Sequence, residues 1–93
     1  MKKQFYNMSK TIRARRKEIG MTQETLSHRM GYNNAQFVSN LERGLNGLPA
    51  AKIYVAADTL DMTPRQLIEA ELLDLEVWLD TNVDSSIFRS KTL

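Results

Sequence analysis

The side chains with the most chemistry to offer in this chain are amides and a guanidinium set along one helical face. Within Thr22–Gly44, TQETLSHRMGYNNAQFVSNLERG, a period of about 100° per residue puts Asn33, Gln36, Ser39, Asn40 and Arg43 on one side of a short helix. Val38, Leu41 and Leu45 fall on the other side, with Asn34 near them. Asn and Gln each carry a donor beside an acceptor, so they can pair bidentately with adenine in the major groove of DNA, and each good pair discriminates by about 1–3 kcal/mol. Gln36 and Asn40 stand four apart and project together, so both can reach base edges. Arg43, one turn further on, suits a phosphate, and so does Gln23 at the positive end of the preceding helix. Each amide also has a plainer reading, Gln36 as a helix cap and Asn40 as solvated surface.

The elements that must position this face are legible from caps and periodicity. Ser9 is an N-cap for a first helix to about Ile19, stopped by Gly20. Ile12, Arg16 and Ile19 share its apolar face, while Lys10, Arg13 and Lys17 share another. Arg16 therefore needs a partner, because an unpaired buried charge costs several kcal/mol. Thr22 caps the second helix, Met21 staples onto Leu26, Leu26 and Met30 point inward, and Gly31 ends it. For the third helix Asn33 is the candidate N-cap, with Gln36 at the capping-box position and Tyr32 stapled onto Phe37; Asn34 is the close alternative. Glu42 falls beside Val38 and Leu41 on the buried face and is the missing partner of Arg16, unless both side chains reach to water instead.

Beyond a turn at Leu45–Pro49, with Asn46-Gly47 at its tip, a fourth helix is expected from about Pro49 to Leu60, with Ile53, Ala57 and Leu60 inward. The fifth helix has a full set of start signals: Thr63 as N-cap, Pro64 at its first position, Gln66 closing a capping box and Met62 stapled to Leu67. It should run to about Leu79. Ile68, Leu72, Leu75 and Leu79 make one stripe, Leu73 and Val77 lie almost opposite, and Trp78 lies elsewhere again. A helix apolar on more than one side must bury more than one side. One face packs on the domain and the other invites a second subunit, with Leu72, Leu75, Trp78 and Leu79 as the dimerisation candidates. The alternative cover is the tail Thr81–Leu93, with Ile87, Phe88 and Leu93.

Composition narrows the function classes. The 93 residues suit one all-α domain, and the net charge of +2 hides an asymmetry. Lys2, Lys3, Lys10, Arg13, Arg15, Arg16 and Lys17 crowd the start, while Glu69, Glu71, Asp74, Glu76, Asp80 and Asp84 follow one another near the end. A polyanion would favour the first part and avoid the second. With no Cys and with His28 alone, neither a metal site, a cofactor nor a nucleophilic constellation is expected, which argues against an enzyme. The longest run without a polar side chain is about five residues, near Ile53–Ala57, far short of a membrane span. A cytoplasmic, nucleoid-associated protein is expected.

The sequence IRARRKEIGMTQETLSHRMGYNNAQFVSNLERG, followed by a Pro-led helix and TLDMTPRQLI, resembles the Xre/Cro-like helix-turn-helix family of phage and bacterial repressors over roughly residues 9–69. The resemblance rests on Arg16, the Thr22-Gln23 helix start, Gly31 and the Glu42-Arg43-Gly44 signature occurring in order. It implies a compact five-helix, lambda-repressor-like bundle, here with a C-terminal helical extension. The third helix would enter the major groove, as one half of a dimer on a two-fold operator. It matches Gln23 to a phosphate anchor, Asn33, Asn34, Gln36 and Asn40 (with Ser39 adjacent) to base readers, and Arg16–Glu42 to a structural pair. The chain departs from the pattern by one extra residue between Gly31 and Gln36, by Leu45, Asn46 and Gly47 where basic residues are common, and by Asp61 where Gly is common. The expected layout is a basic arm over 1–8, the DNA-binding domain over 9–69, and a dimerising extension over 70–93. The expected function is repression of transcription on double-stranded DNA as a homodimer. The alternative is an antitoxin or adaptor gripping a protein partner through residues 67–93.

Overall fold

Short helices with separately satisfied ends make up this molecule. The computed structural model describes residues 5–84 and 86, so the arm residues Met1–Gln4 and the tail's Ile87, Phe88 and Leu93 lie outside the described residues. The elements are α1 (Tyr6–Glu18), α2 (Gln23–Arg29), α3 (Gln36–Glu42), a 3-10 turn (Ala50–Lys52), α4 (Ile53–Thr59) and α5 (Pro64–Asn82). Among the described residues there is no strand, and no helix is long and apolar enough to cross a membrane.

The core is built largely where the apolar periodicity puts it, although Ile19, expected on the apolar face of α1, is exposed beyond the end of that helix. Met8 and Ile12 of α1, Leu26 of α2, Val38 and Leu41 of α3, Ala56 and Ala57 of α4, and Leu67 and Ala70 of α5 are buried together with Met30, Leu48 and Leu60. Ile53 packs against this cluster from its edge. Leu45 departs from expectation and is 53% exposed. Gly44 takes a positive φ of 74° and ends the helical path, so the projection that placed Leu45 inward stops applying, and Leu48 fills the core instead. The expected fourth helix also splits, a 3-10 turn preceding α4. The Asn46-Gly47 tip is no free loop either, because Gly47 lies against the Phe5 ring, where a Cβ would meet Phe5 Cε1 at 2.6 Å.

α1 begins at Tyr6, four residues earlier than the Ser9 cap predicts and inside the stretch read as an arm. Ser9 is buried in the helix, and its hydroxyl donates to the Tyr6 carbonyl at 3.0 Å. The cap comes instead from the far end of the chain. The Asp74 carboxylate, 2% exposed, accepts from the backbone N–H groups of Asn7 (2.7 Å) and Met8 (2.9 Å) and from Asn7 Nδ2 (3.0 Å). An anion at a helix N-terminus meets free N–H groups and the positive end of the dipole together. Asp74 thus leaves the acidic surface row in which the sequence puts it.

α5 starts as expected, with the Thr63–Gln66 capping box closed, and runs to Asn82. It packs on α1 and α4 through Leu67, Ala70 and Asp74, so the Ile68–Leu72–Leu75–Leu79 stripe does not face the domain. Leu72, Leu73, Leu75, Val77 and Leu79 stay exposed, while Trp78, four residues after Asp74, is half-buried. Asp61 adopts φ 51°, a left-handed position costing roughly 1–2 kcal/mol for a residue with a side chain. Arg15 holds that turn, donating from Nε to the Leu60 carbonyl at 2.8 Å and from Nη2 to the Asp61 carbonyl at 2.9 Å.

Replacing Asp74 by Ala orphans the buried N–H groups of the α1 start. The expected outcome in urea unfolding is a loss of about 2 kcal/mol. Glu76→Ala, on the exposed side of the same helix, should stay within about 0.5 kcal/mol of the parent.

Candidate nucleic-acid interface

The turn between α2 and α3 is held from several sides. Thr22 caps α2 as expected, its hydroxyl accepting from the Thr25 N–H at 3.0 Å. Gly31 takes φ 94° and turns the chain, and Lys52 Nζ donates to the Met30 carbonyl at 2.8 Å while lying 5.2 Å from the centre of the Tyr32 ring. Tyr32 and Phe37 stack with centroids 4.0 Å apart, which is the expected staple. His28 Nε2 lies 2.9 Å from the Asn33 carbonyl. A carbonyl only accepts, so that ring nitrogen carries a proton, and His28 acts as a brace for the turn.

The start of α3 is where the sequence reading needs correction. Asn33 does not cap it. Nor does the alternative, Asn34: the cap position is held by Ala35, which has no side-chain acceptor, and Asn34 Oδ1 accepts from the Gln36 N–H at 2.9 Å from just outside the helix. The capping box expected at Gln36 does not form, because its side chain points along the helix to Asn40. A further orphan N–H, that of Val38, is satisfied from α2 by the fully buried Ser27 hydroxyl at 3.2 Å. Ser27 was not singled out from the sequence, where it looks like any small polar residue in a helix.

The end of α3 is fixed by the predicted pair. Arg16 Nε donates to Glu42 Oε2 at 2.6 Å and Nη2 to Oε1 at 2.9 Å, with side chains only 11% and 3% exposed. Arg16 Nη1 donates to the Met21 carbonyl at 2.8 Å. The hydrogen bonds to Glu42 push the guanidinium pKa still higher, against the opposing effect of burial. Its contribution to stability is therefore fully present at neutral pH and is lost only as pH rises through that raised, strongly alkaline range. Gln23 joins the same cluster, its Nε2 donating to Glu42 Oε1 at 3.0 Å. The second N–H of that amide is not used in this cluster.

On the outer face the candidate base readers lie together. Asn33, Asn34, Gln36 and Arg43 are exposed, and Ser39 and Asn40 are half-buried. Gln36 Nε2 donates to Asn40 Oδ1 at 2.8 Å, and Arg43 Nη2 donates to the same oxygen at 2.7 Å. The row is thus a connected strip. Arg43 also lines one cleft with Lys10 and Arg13 of α1, so the basic face of the first helix converges on the end of the third. Periodicity shows each face alone and cannot show that they meet.

A family model described as Helix-turn-helix matches residues 12–67. The chain belongs to the helix-turn-helix family. It is a DNA-binding transcription regulator of the Xre/Cro-like type. No curated protein matches it. Among solved structures, the restriction-modification controller protein C.AhdI from Aeromonas hydrophila is 30% identical, with 68% of this chain and 94% of that chain covered and a TM-score of 0.61. The wild-type restriction-modification controller protein C.Esp1396I is 22% identical over 76% of this chain and 90% of its own, with a TM-score of 0.60, and shares the fold.

Glu42→Ala should be among the most damaging single changes in the helix-turn-helix unit, since it leaves the Arg16 charge buried without its partner. A loss of about 3 kcal/mol or more is expected in chemical denaturation followed by circular dichroism. A loss under about 1 kcal/mol would mean that the pair is solvated.

Proposed function

We propose that the protein is a sequence-specific transcriptional repressor that binds a two-fold operator as a homodimer, with α3 in the major groove. The observation that carries this reading is the hydrogen-bonded surface strip of Gln36, Asn40 and Arg43 on the second helix of a helix-turn-helix unit. Asn33, Asn34, Gln36, Ser39 and Asn40 are proposed to meet base edges. Arg43 and Gln23 are proposed to meet phosphates, with Lys10 and Arg13 added from the shared cleft. The 30%-identical neighbour is a restriction-modification controller, which supports a role in controlling transcription from a promoter. Such a role belongs on nucleoid DNA in the cytoplasm.

The dimer is proposed to form through the free flank of α5. Leu72, Leu75 and Leu79 are exposed along one side of it, and Trp78 borders the domain side. A two-fold pairing of this kind would set two copies of α3 about 34 Å apart, one turn of DNA. The alternative reading, an antitoxin or adaptor holding a protein partner through residues 67–93, is favoured by one observation. Leu73 and Val77 are exposed on the other flank of α5, beside the acidic Glu69 and Asp80.

Three measurements test the leading reading. Asn40→Ala should weaken binding to a selected operator by about tenfold while leaving binding to scrambled duplex nearly unchanged, as measured by fluorescence anisotropy; an equal loss on both would remove its base-reading role. Wild-type affinity should fall with salt with a log–log slope of about −0.9 per phosphate contacted. Sedimentation should give a dimer that Leu75→Glu converts to monomer, and a strict monomer on operator DNA would refute the two-fold reading.

A further inference from the structure

We propose that the position read by Asn40 is a G·C pair contacted at guanine, because the fold has already used the acceptor with which Asn40 would recognise adenine. This rests on α3 being the reading helix and names what that helix selects.

Arg43 fixes which way the Asn40 amide is turned. A guanidinium only donates, so the Asn40 atom 2.7 Å from Arg43 Nη2 is the carbonyl oxygen. The same oxygen lies 2.8 Å from Gln36 Nε2, a second donor. An amide oxygen has two lone pairs, and both are engaged. Asn40 keeps its NH2 group, which only donates. In the major groove adenine presents the N7 acceptor beside the N6 donor, so pairing with it needs an acceptor and a donor together. Guanine presents N7 and O6, two acceptors. A donor-only group matches the guanine edge and leaves adenine N6–H2 without a partner.

Gln36 and Arg43 sit four residues before and three residues after Asn40, the two spacings that place side chains side by side on a helix. They are positioning residues for this discrimination, whatever else they touch. Removing Gln36 frees one lone pair on Asn40 Oδ1 and restores the acceptor that adenine needs.

The test is selection from a random duplex DNA pool with the full-length protein and with Asn40→Ala, comparing which positions lose enrichment. A G·C pair is expected at the positions that Asn40→Ala relaxes. In the selected duplex, 7-deazaguanine at that base, which lacks the N7 acceptor, should weaken binding by about fivefold or more, and adenine should do the same. In Gln36→Ala the preference for guanine over adenine should shrink by about the same factor, a change that a merely structural role for Gln36 would not produce. An A·T pair at the Asn40 position, indifference to 7-deazaguanine, or an unaltered ratio in Gln36→Ala would overturn the inference and leave the operator reading standing. If the wild-type protein enriches no sequence at all, the operator reading falls with it.

Discussion

A guanidinium from the first helix and a carboxylate from the end of the third are buried against each other, and the placement of α3, the helix proposed to read DNA, depends on that contact. α3 has seven residues, too few to be stable on propensity alone, so its direction must come from what holds its two ends. At its C-terminal end Glu42 accepts two bonds from Arg16 and one from Gln23, while Arg16 also reaches the Met21 carbonyl. Four hydrogen bonds therefore join α1, the α1–α2 loop, the start of α2 and the end of α3. The cost of desolvating two charges is offset because nearly every polar atom of the pair has a partner.

The same logic recurs at the other helix ends. Short helices leave many backbone groups unsatisfied for each residue they order. Here charged or polar side chains from other elements meet them. Lys52 reaches the end of α2, Arg15 the end of α4, Asp74 the beginning of α1 and Ser27 the beginning of α3. Cations sit at C-terminal ends and the anion at an N-terminal end, as the helix dipole favours. Basic residues that look from composition like a DNA-facing charge reserve are thus divided. Arg15, Arg16 and Lys52 hold the fold, and Lys10, Arg13 and Arg43 line the cleft beside the proposed reading face.

α5 links this framework to the proposed dimer surface. Its inner side carries Leu67, Ala70 and the capping Asp74, so its rotation is set by the need to bury that carboxylate over the start of α1. That rotation turns the leucines at 72, 75 and 79 outward. An apolar stripe in sequence marks a surface that needs cover, and the polar residue buried between its turns decides which way it faces.

Many features whose partners lie within about four residues were legible in the sequence, because their geometry is fixed by the helix itself, but the Ser9 cap and the Asn33–Gln36 box were not, since tertiary contacts and a longer helix start displaced them. Thr22, Gly31 and the Thr63–Gln66 box ended or began helices where local chemistry says they should, and the periodicity of Ile12, Leu26, Val38 and Leu41 marked the core. Arg16–Glu42 was legible for a different reason, since two opposite charges stood on apolar faces and each needed the other. Asp74, Ser27 and Lys52 were not, because nothing near them in the chain sets them apart from ordinary surface residues. Only the packing of α5 on α1, and of α2 between α3 and α4, brings them to backbone groups that lack a partner. The amide row shows both limits at once. Spacing put Gln36, Asn40 and Arg43 side by side, but which oxygen accepts from which nitrogen is set by torsions about side-chain bonds, and only the folded structure decides those.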